Sequence, residues 1–392
     1  MTRIWNISIF TLILSWILIF FAAYLGHAAP FFSRSDMFAD FVKIALQFPG
    51  GKIAHDPLGF DVLIERFQHD KGYFELGNGF LPPVTTLLCL LIRFSFTYSG
   101  PVLIASIVSA VCVSTLYTIS KDYSREEGIA WFIILSYPTL FMLDRGNLFA
   151  GLTAVLGTTA LLRRKADLIG AILLAIAINI RPNMLFCVLP FLSVRFLCLS
   201  SSLTVGIGVA AIAIVRSMLP TYTISNFEHG QAVYLLHYVL EGWGVPFGSS
   251  LYGAFWLSGH TLPLSLFPAL AALFAGTALK AFRTGRMSYG DLCFVVVACM
   301  FIGTPILNDY HLLLFSAPLI LSRTTFIRIA CILLLLPKGY GEFHGATIQV
   351  ILNPTIMISS IIWLLVRSIK APPADDAVSE PLSPPQELLT NG

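Results

Sequence analysis

The chain has 392 residues, of which 56% are apolar and 11% are charged, and its mean hydropathy is +0.81. Soluble globular proteins carry about 25% charged residues, so this composition excludes that class. The formal net charge of +3 gives no indication of nucleic-acid binding. In a bilayer only helices and closed barrels satisfy their backbone polar groups, and the apolar segments lack the alternation of barrel strands. The composition therefore predicts an α-helical membrane protein.

The first apolar segment, residues 4–25, follows Arg3. It is longer than the apolar core of about 7–15 residues in a secretory signal peptide, and Pro30 fits poorly after a cleavage site. We therefore expect a retained membrane helix whose N-terminus is cytoplasmic. Twelve further segments approach the length of a span, at 81–97, 101–119, 129–143, 148–162, 167–180, 184–199, 203–219, 262–279, 289–306, 311–322, 326–337 and 347–366. The fold class predicted is an all-α integral membrane protein, a polytopic bundle of about 12–13 helices.

Two long polar segments and a tail interrupt or follow these spans. Residues 31–80 are rich in acids, and their apolar residues recur with helical period, which predicts short amphipathic helices at the membrane surface. Residues 220–260 form a second long loop that is rich in glycine and aromatic residues. Residues 371–392 are acidic and proline-rich, which predicts a disordered tail. We expect one membrane domain, residues 1–370, that carries both loops.

Basic turns predict the orientation of the chain, because lysine and arginine concentrate in cytoplasmic loops. These turns are at 163–165, 280–286, 323–328 and 367–370. The loops at 31–80 and 220–260 are then extracytoplasmic. The candidate spans between residue 80 and the turn at 163–165 are even in number, whereas this orientation requires an odd number. We therefore expect one short segment to be a re-entrant or half helix.

Asp36 and Asp40 lie four residues apart, on one face of a helix directly after the first span. Two carboxylates so placed can divide their roles, because one can accept a proton while the other orients a group or holds a cation. The alternative interpretation is a solvated loop whose acids have no chemical role. The seven cysteines mostly lie inside apolar segments without metal-ligand spacing, which is typical of small core residues.

Two polar breaks between apolar segments contain arginine. In 144–147, Arg145 offers a planar donor fork suited to phosphate, beside Asn147. In 181–183, Arg181 and Asn183 flank a proline that opens the next helix. Both breaks are also compatible with ordinary turns. If the two arginines share a face with the acidic loop, they indicate an anionic ligand.

A third break, 308–311, contains Tyr310 and His311. A histidine at a helix boundary is usually only interfacial, but beside arginines it can bind phosphate or transfer a proton. His229 and His237 in the second long loop are weaker candidates. Together the polar groups predict a site at the outer membrane interface that suits a phosphorylated lipid and a hydroxyl nucleophile.

Several short motifs run in order from about residue 36 to 320. They are Asp36 before Gly50-Gly51 and Asp56-Pro57, Leu81-Pro82-Pro83, Asp144-Arg145-Gly146-Asn147, the stretch 174–185, Gly248-Ser249-Ser250-Leu251-Tyr252-Gly253 and Thr304-Pro305-Ile306-Leu307-Asn308-Asp309-Tyr310-His311. In this order and spacing the sequence resembles the polyprenol-phosphate-dependent membrane glycosyltransferases of the GT-C superfamily, particularly the alpha-mannosyltransferase-like family 87. It departs from that family's pattern where the Asn-Gln of the loop is absent and where Asn308 replaces a tryptophan.

The resemblance implies a GT-C-like fold and an inverting hexosyltransferase, for mannose or another hexose. Asp36 would be the general base, with Asp40 supporting it, at the extracytoplasmic face of a multi-pass cell membrane protein. The substrate-binding residues implied are Arg145, Asn147, Arg181, Asn183, Tyr310 and His311. The partners implied are a polyprenyl-phosphate sugar donor, a lipid or glycan acceptor and membrane lipids; no cofactor or metal is demanded and no nucleic acid is expected. A transporter or flippase of lipid-linked or anionic solutes and a non-catalytic scaffold of an envelope polysaccharide system are the alternatives.

Overall fold

The computed structural model describes residues 82–94, 99–124, 126–145, 147–191, 193–218, 220, 222–242, 244–245, 248–260, 262–337, 342–343 and 346–370. Within these ranges the chain is helical, apart from turns and an antiparallel hairpin whose two strands have two residues each. The predicted first span at 4–25, the amphipathic helices of 31–80 and the tail at 371–392 lie outside the described residues.

The described helices follow one another through short connections. The α-helices are α1 (Pro83–Phe94), α2 (Ser99–Ser124), α3 (Glu127–Ile134), α4 (Tyr137–Arg145), α5 (Leu148–Arg163), α6 (Leu168–Ile180), α7 (Val194–Met218), α8 (Ile224–Tyr234), α9 (Leu251–Leu257), α10 (Leu266–Arg283), α11 (Tyr289–Gly303), α12 (Ser316–Leu321), α13 (Thr325–Leu335) and α14 (Gln349–Lys370). A first 3-10 helix (Pro182–Phe191) precedes α7, a second (Asp309–Phe315) precedes α12, and a π-helical segment (Leu235–Leu240) follows α8. Strands β1 (Glu342–Phe343) and β2 (Ala346–Thr347) form the hairpin before α14.

Three of the described helices, α7, α10 and α14, are long and apolar enough to cross a membrane. Several further apolar helices are shorter, with 10–17 residues each. At 1.5 Å per residue α7 is about 38 Å long, whereas α6 is about 20 Å and α11 about 22 Å long. The described residues therefore form a helical assembly in which long and short apolar helices are mixed.

The structure corrects two predicted segment boundaries. The break expected at 200–202 is absent, because α7 continues through these serines. Ser200 Oγ donates to the carbonyl of Leu197 at 3.2 Å, and Thr204 Oγ1 donates to that of Ser200 at 2.7 Å, so these hydroxyls are satisfied inside the helix. The segment expected at 184–199 instead divides at residue 192, where the 3-10 helix ends.

Two further segments differ from the prediction, one by a break and the other by added helices. The segment expected at 129–143 is broken between α3 and α4, where Ser136 Oγ donates to the carbonyl of Ile133 at 2.7 Å and Pro138 opens the next helix. The second long loop is largely helical, because it contains α8, the π-helical segment and α9.

The basic turns come together at one end of the helices, which we call the basic end (residues 161–167, 283–291 and 322–328). Tyr289 Oη donates to the carbonyl of Leu161 at 3.1 Å, and the Arg164 guanidinium lies 5.6 Å from the centre of the Tyr289 ring. Arg328 lies 3.8 Å from Glu126, which brings the turn between α2 and α3 to the same end. The ends of α5 and α10 and the beginnings of α6, α11 and α13 therefore meet here.

Charged side chains at the basic end also cap helices. Asp167 begins α6 by accepting a hydrogen bond from the Gly170 amide at 2.8 Å, and it pairs with Arg163 at 2.6 Å. The Gly170 hydrogen bond and then the Arg163 pair lower the pKa of Asp167, because both favour its charged form. An aspartate in this position stabilises the start of the helix.

The other ends of these helices meet on the opposite side, which we call the site end. Thr85 Oγ1 in α1 donates to the carbonyl of Ile180, the last residue of α6, at 3.0 Å. Helix α1 thus begins at the site end. The half helix expected among the segments before the turn at 163–165 stays a prediction.

Helix α11 is the centre of the assembly. Every residue from Gly290 to Ile302 is buried, and α10, α12, the first 3-10 helix and α14 pack around it. A Cβ at Gly290 would lie 2.4 Å from the carbonyl group of Leu321, so the start of α11 touches the backbone at the end of α12. This approach fixes how the chain reaches the second 3-10 helix.

Candidate functional site

Three of the predicted site residues have side chains outside the described part of the structure. Asp36 and Asp40 lie outside the described residues. Arg145 is the last residue of α4, and its side chain lies outside the described part of the structure. The predicted site residues whose side chains are described are Asn147, Arg181, Asn183, Tyr310 and His311.

Arg181 and Asn183 lie where α6 gives way to the first 3-10 helix. Arg181 is the C-cap of α6, its backbone N–H donates to the carbonyl of Ala177 at 2.8 Å, and its side chain is half-buried. The buried side-chain oxygen of Asn183 has no hydrogen-bond partner among the described residues. Pro182 between them ends the α-helix and thereby sets Arg181 at the site end.

Asn147 lies at the start of α5, at the same end of the helices. Its side-chain oxygen accepts a hydrogen bond from the Ala150 amide at 3.0 Å, so it caps this helix. The side chain is 4% exposed. The side-chain oxygen of Asn147 thus already caps α5, a role that the sequence interpretation did not assign to this residue.

Tyr310 and His311 belong to the second 3-10 helix and are buried. His311 is 2% exposed, and its Nδ1 lies 3.1 Å from the carbonyl oxygen of Asn308. A carbonyl oxygen only accepts, so Nδ1 carries the proton and Nε2 is the free nitrogen of the neutral ring. Nε2 is buried and has no hydrogen-bond partner among the described residues. The ring of Tyr310 contacts that of His311, with centroids 4.9 Å apart.

The structure brings Arg181 and His311 together from separate segments of the chain. Arg181 lies close enough to His311, and to Tyr234 at the end of α8, to act on both electrostatically. Tyr234 in turn stacks on Tyr238 in the π-helical segment, with centroids 5.1 Å apart and the ring planes 18° from parallel. A guanidinium, an imidazole and a phenol thus gather at the site end.

A buried polar network lies directly beside His311 and is centred on Asp309, which is 1% exposed. Tyr137 Oη donates to Asp309 Oδ2 at 3.1 Å, and Gln349 Nε2 donates to the same oxygen and also to Tyr137 Oη, the latter at 3.0 Å. Ser249 Oγ donates to Asp309 Oδ1. Asn353 Nδ2 donates to Ser249 Oγ at 2.7 Å, while its buried Oδ1 has no hydrogen-bond partner among the described residues.

An aromatic stack that belongs to the buried core lies beside this network. Phe141 lies between Tyr137 and Tyr310, with ring centroids 5.5 Å and 6.0 Å away and planes within 23° and 21° of parallel. Such offset stacks contribute about 0.5–1.5 kcal/mol per pair beyond the burial of their area. The stack therefore holds α4 against the second 3-10 helix.

The sequence interpretation missed Asp309, Tyr137, Ser249, Gln349 and Asn353. A signal for two of them was present, because Gln349 and Asn353 are four residues apart at the start of an apolar helix and so lie on one face. Asp309 stood inside a motif whose tyrosine and histidine were selected instead. Ser249 also stood inside a quoted motif, 248–253, but was not selected. Tyr137 carries no local signal, because only tertiary packing brings it to Asp309.

The described residues contain no group of three or more histidine, cysteine, aspartate or glutamate side chains placed to hold a metal ion. What the site offers is hydrogen bonding and charge: one guanidinium, one imidazole nitrogen and a fixed carboxylate. Such groups suit the binding of an anion and of hydroxyl groups.

Comparison with known proteins adds no relative, because no family model, no curated protein and no solved structure matches this chain.

Proposed function

We propose that the chain is a polytopic cell-membrane glycosyltransferase of the GT-C type. It transfers a hexose, mannose or a related sugar, from a polyprenyl-phosphate donor to a lipid or glycan acceptor at the extracytoplasmic face. The basic end is then cytoplasmic and the site end extracytoplasmic, in keeping with the distribution of lysine and arginine. The three helices of span length and the shorter apolar helices around them support the membrane assignment.

The observation that carries the proposal is the electrostatic influence of Arg181, at the end of α6 opposite the basic turns, on the buried imidazole of His311. Both residues belong to motifs that resemble the glycosyltransferase family. They come from apolar segments more than a hundred residues apart, and a cationic fork beside an imidazole suits the phosphate of a lipid-linked sugar.

In the proposed reaction Asp36 accepts the proton of an acceptor hydroxyl. The hydroxyl oxygen forms a bond to the anomeric carbon, the bond from that carbon to the phosphate oxygen breaks, and the configuration is inverted. Arg145 and Arg181 stabilise the negative charge that grows on the departing polyprenyl phosphate. Nε2 of His311, which carries no proton in the neutral ring, accepts a hydrogen bond from a hydroxyl group of the substrate. Asp40 orients Asp36 or the acceptor.

The test is transfer of radiolabelled sugar from polyprenyl-phosphate mannose in membranes that contain the wild-type chain or Asp36→Asn. Asparagine cannot accept the proton, so we expect transfer to be abolished while the protein remains folded in the membrane. Asp122→Asn, at an exposed position near the end of α2, is the control that retains activity. Full transfer by Asp36→Asn would show that the assignment is wrong.

One observation favours a second candidate, a transporter or flippase of lipid-linked or anionic solutes. Asp309 is a carboxylate buried among the helices, and ionisable groups inside membrane bundles often mark a solute path. Purified protein in vesicles would then move the lipid-linked sugar or an anion across the bilayer without forming a glycosylated product. Product formation without solute movement favours the transferase.

A further inference from the structure

The Asp309 network joins four separate parts of the chain at one carboxylate. Tyr137 belongs to α4, Ser249 to the segment before α9 and Gln349 to the first turn of α14. Each donates a hydrogen bond to Asp309, the first residue of the second 3-10 helix. The position of that residue is therefore set by three elements that are distant in sequence.

The backbone next to Asp309 is held as well. Asn308 forms an antiparallel bridge with Gly248, and the Ser249 amide donates to the carbonyl of Leu307 at 3.1 Å. The carbonyl of Asn308 accepts two hydrogen bonds from His311, one from its amide at 3.0 Å and one from Nδ1 at 3.1 Å. The orientation of the imidazole thus depends on where the Asn308 carbonyl points.

We propose that Asp309 is a positioning residue for His311. By fixing the first turn of the second 3-10 helix, it holds the Asn308 carbonyl on Nδ1 and keeps Nε2 directed to the ligand. The role in turnover rests on the proposed function, whereas the fixed imidazole is a property of the folded protein. Asp309 itself need not contact the substrate.

The substitution Asp309→Asn tests this role. It removes the negative charge and replaces one acceptor oxygen by an NH2 group, with almost no change in volume. Asp309 accepts hydrogen bonds at both oxygens. If the new amide presents its NH2 group to Ser249, that hydroxyl must accept instead of donate. If it presents the group to Tyr137 and Gln349, it faces the NH2 group of Gln349, which can only donate. We expect the first turn to shift and the hydrogen bond from Nδ1 to weaken.

Asp291 supplies the matched control. It is also buried, at 6% exposure, and it accepts hydrogen bonds from Ser322 at 2.5 Å and Thr324 at 2.9 Å, but it lies at the basic end. Asp291→Asn therefore perturbs a comparable hydrogen-bonded carboxylate away from His311. A loss that comes only from reduced stability would appear in both variants.

The first readout is the imidazole of His311 in detergent-purified protein labelled with ¹⁵N-histidine. The chain has eight histidines, and the His311 signals are assigned by their absence in His311→Gln. We expect a neutral ring protonated on Nδ1 in the wild type and in Asp291→Asn, and loss of this single state in Asp309→Asn. An unchanged His311 signature in Asp309→Asn would overturn the proposal.

The second readout is turnover with a polyprenyl-phosphate sugar. Misplacement of a catalytic group by about 1 Å can cost about 100-fold in rate, so we expect kcat to fall by about 10- to 100-fold in Asp309→Asn and to stay near wild type in Asp291→Asn. If the wild type transfers no sugar at all, the proposed function fails, and the imidazole measurement still decides the positioning role.

Tyr137→Phe keeps the proposal testable if Asp309→Asn does not fold. It removes only the hydroxyl that donates to Asp309 at 3.1 Å and leaves the stack on Phe141 in place. We expect a partial change in the His311 signature and a smaller loss of kcat. Wild-type values for both would contradict the role of the network.

Discussion

Arg181 ends a helix with its backbone and contributes a charge to the candidate site with its side chain. Its backbone closes α6, while its guanidinium is held half-buried near His311 and Tyr234. Pro182 prevents α6 from continuing past Arg181, and this fixes where the arginine lies. The end of α6 therefore determines where Arg181 can bind a phosphate.

Arg181→Ala should lower kcat/KM for the polyprenyl-phosphate donor by about 100-fold, because loss of one charge-stabilising donor in a water-poor site typically costs this much or more. Arg181→Lys should recover only part of the loss, since an ammonium lacks the planar fork. Steady-state transfer assays at varied donor concentration measure both effects. The control is Arg164→Ala at the basic end, and equal losses for Arg164→Ala and Arg181→Ala would contradict the assignment.

At this scale the sequence indicated Arg181 and His311 but not the carboxylate of Asp309 or the residues that donate to it. Arg181 and His311 stood out because charged groups in apolar surroundings are costly. Tyr137 is an ordinary residue in sequence, and it becomes significant only where folding brings it to Asp309. The acids Asp36 and Asp40 stay a prediction from the sequence.

At the scale of elements, close backbone approach explains much of the helix arrangement. Gly290 at the start of α11 leaves no room for a side chain beside Leu321, and Asp291 then joins α11 to the turn after α12 through Ser322 and Thr324. Glycine here removes the steric barrier between two backbones. These contacts join the start of α11 to the end of α12 at the basic end.

Gly290→Ala should destabilise the protein by about 1–3 kcal/mol or prevent folding, because the added methyl group overlaps backbone atoms that cannot rotate away. Gly276→Ala in α10 is the matched control, since a Cβ there meets nothing within 4 Å. That change should instead stabilise the helix by up to about 1 kcal/mol. Thermal unfolding in detergent measures both variants, and a neutral Gly290→Ala would refute the close contact.

The helix class and most helix positions could be predicted from apolar run length, but the boundaries could not. Serines at 200–202 resembled a turn, whereas α7 continues through them, and the hydroxyls of Ser200 and Thr204 bond to carbonyl groups one turn back. The helices of the second long loop were hidden by its glycine and aromatic content. The position of α1 beside the end of α6 became visible only from the hydrogen bond of Thr85 to Ile180.

At the scale of the whole molecule, the two ends of the assembly differ in chemistry. The basic end carries arginines that pair with acids and lie over aromatic rings, as at Arg163, Arg164 and Arg328. The site end carries buried amides, tyrosines and His311 among the described residues. This asymmetry gives the proposed membrane orientation a direct test.

Single cysteines introduced at the two ends should react on opposite sides of the membrane. Lys165→Cys lies in an exposed basic turn, and Ser258→Cys lies in an exposed turn near the end of α9. We expect a membrane-impermeant maleimide to label Ser258→Cys in intact cells and Lys165→Cys only after permeabilisation. The wild-type chain, whose Cys198 is exposed, is labelled in parallel as the background. Labelling of both variants from one side would contradict the orientation.

The unequal helix lengths have a consequence for the depth of the site. Helices α6 and α11 start at the basic end and are about 20–22 Å long, whereas the hydrocarbon core of a bilayer is about 30 Å thick. In the proposed orientation their site ends stop roughly 8–10 Å short of the far surface, beneath the level reached by α7. Dissolved ions screen charges exposed to water over about 10 Å but scarcely enter such a recess. The attraction between Arg181 and a phosphate drawn into it therefore stays nearly independent of salt concentration.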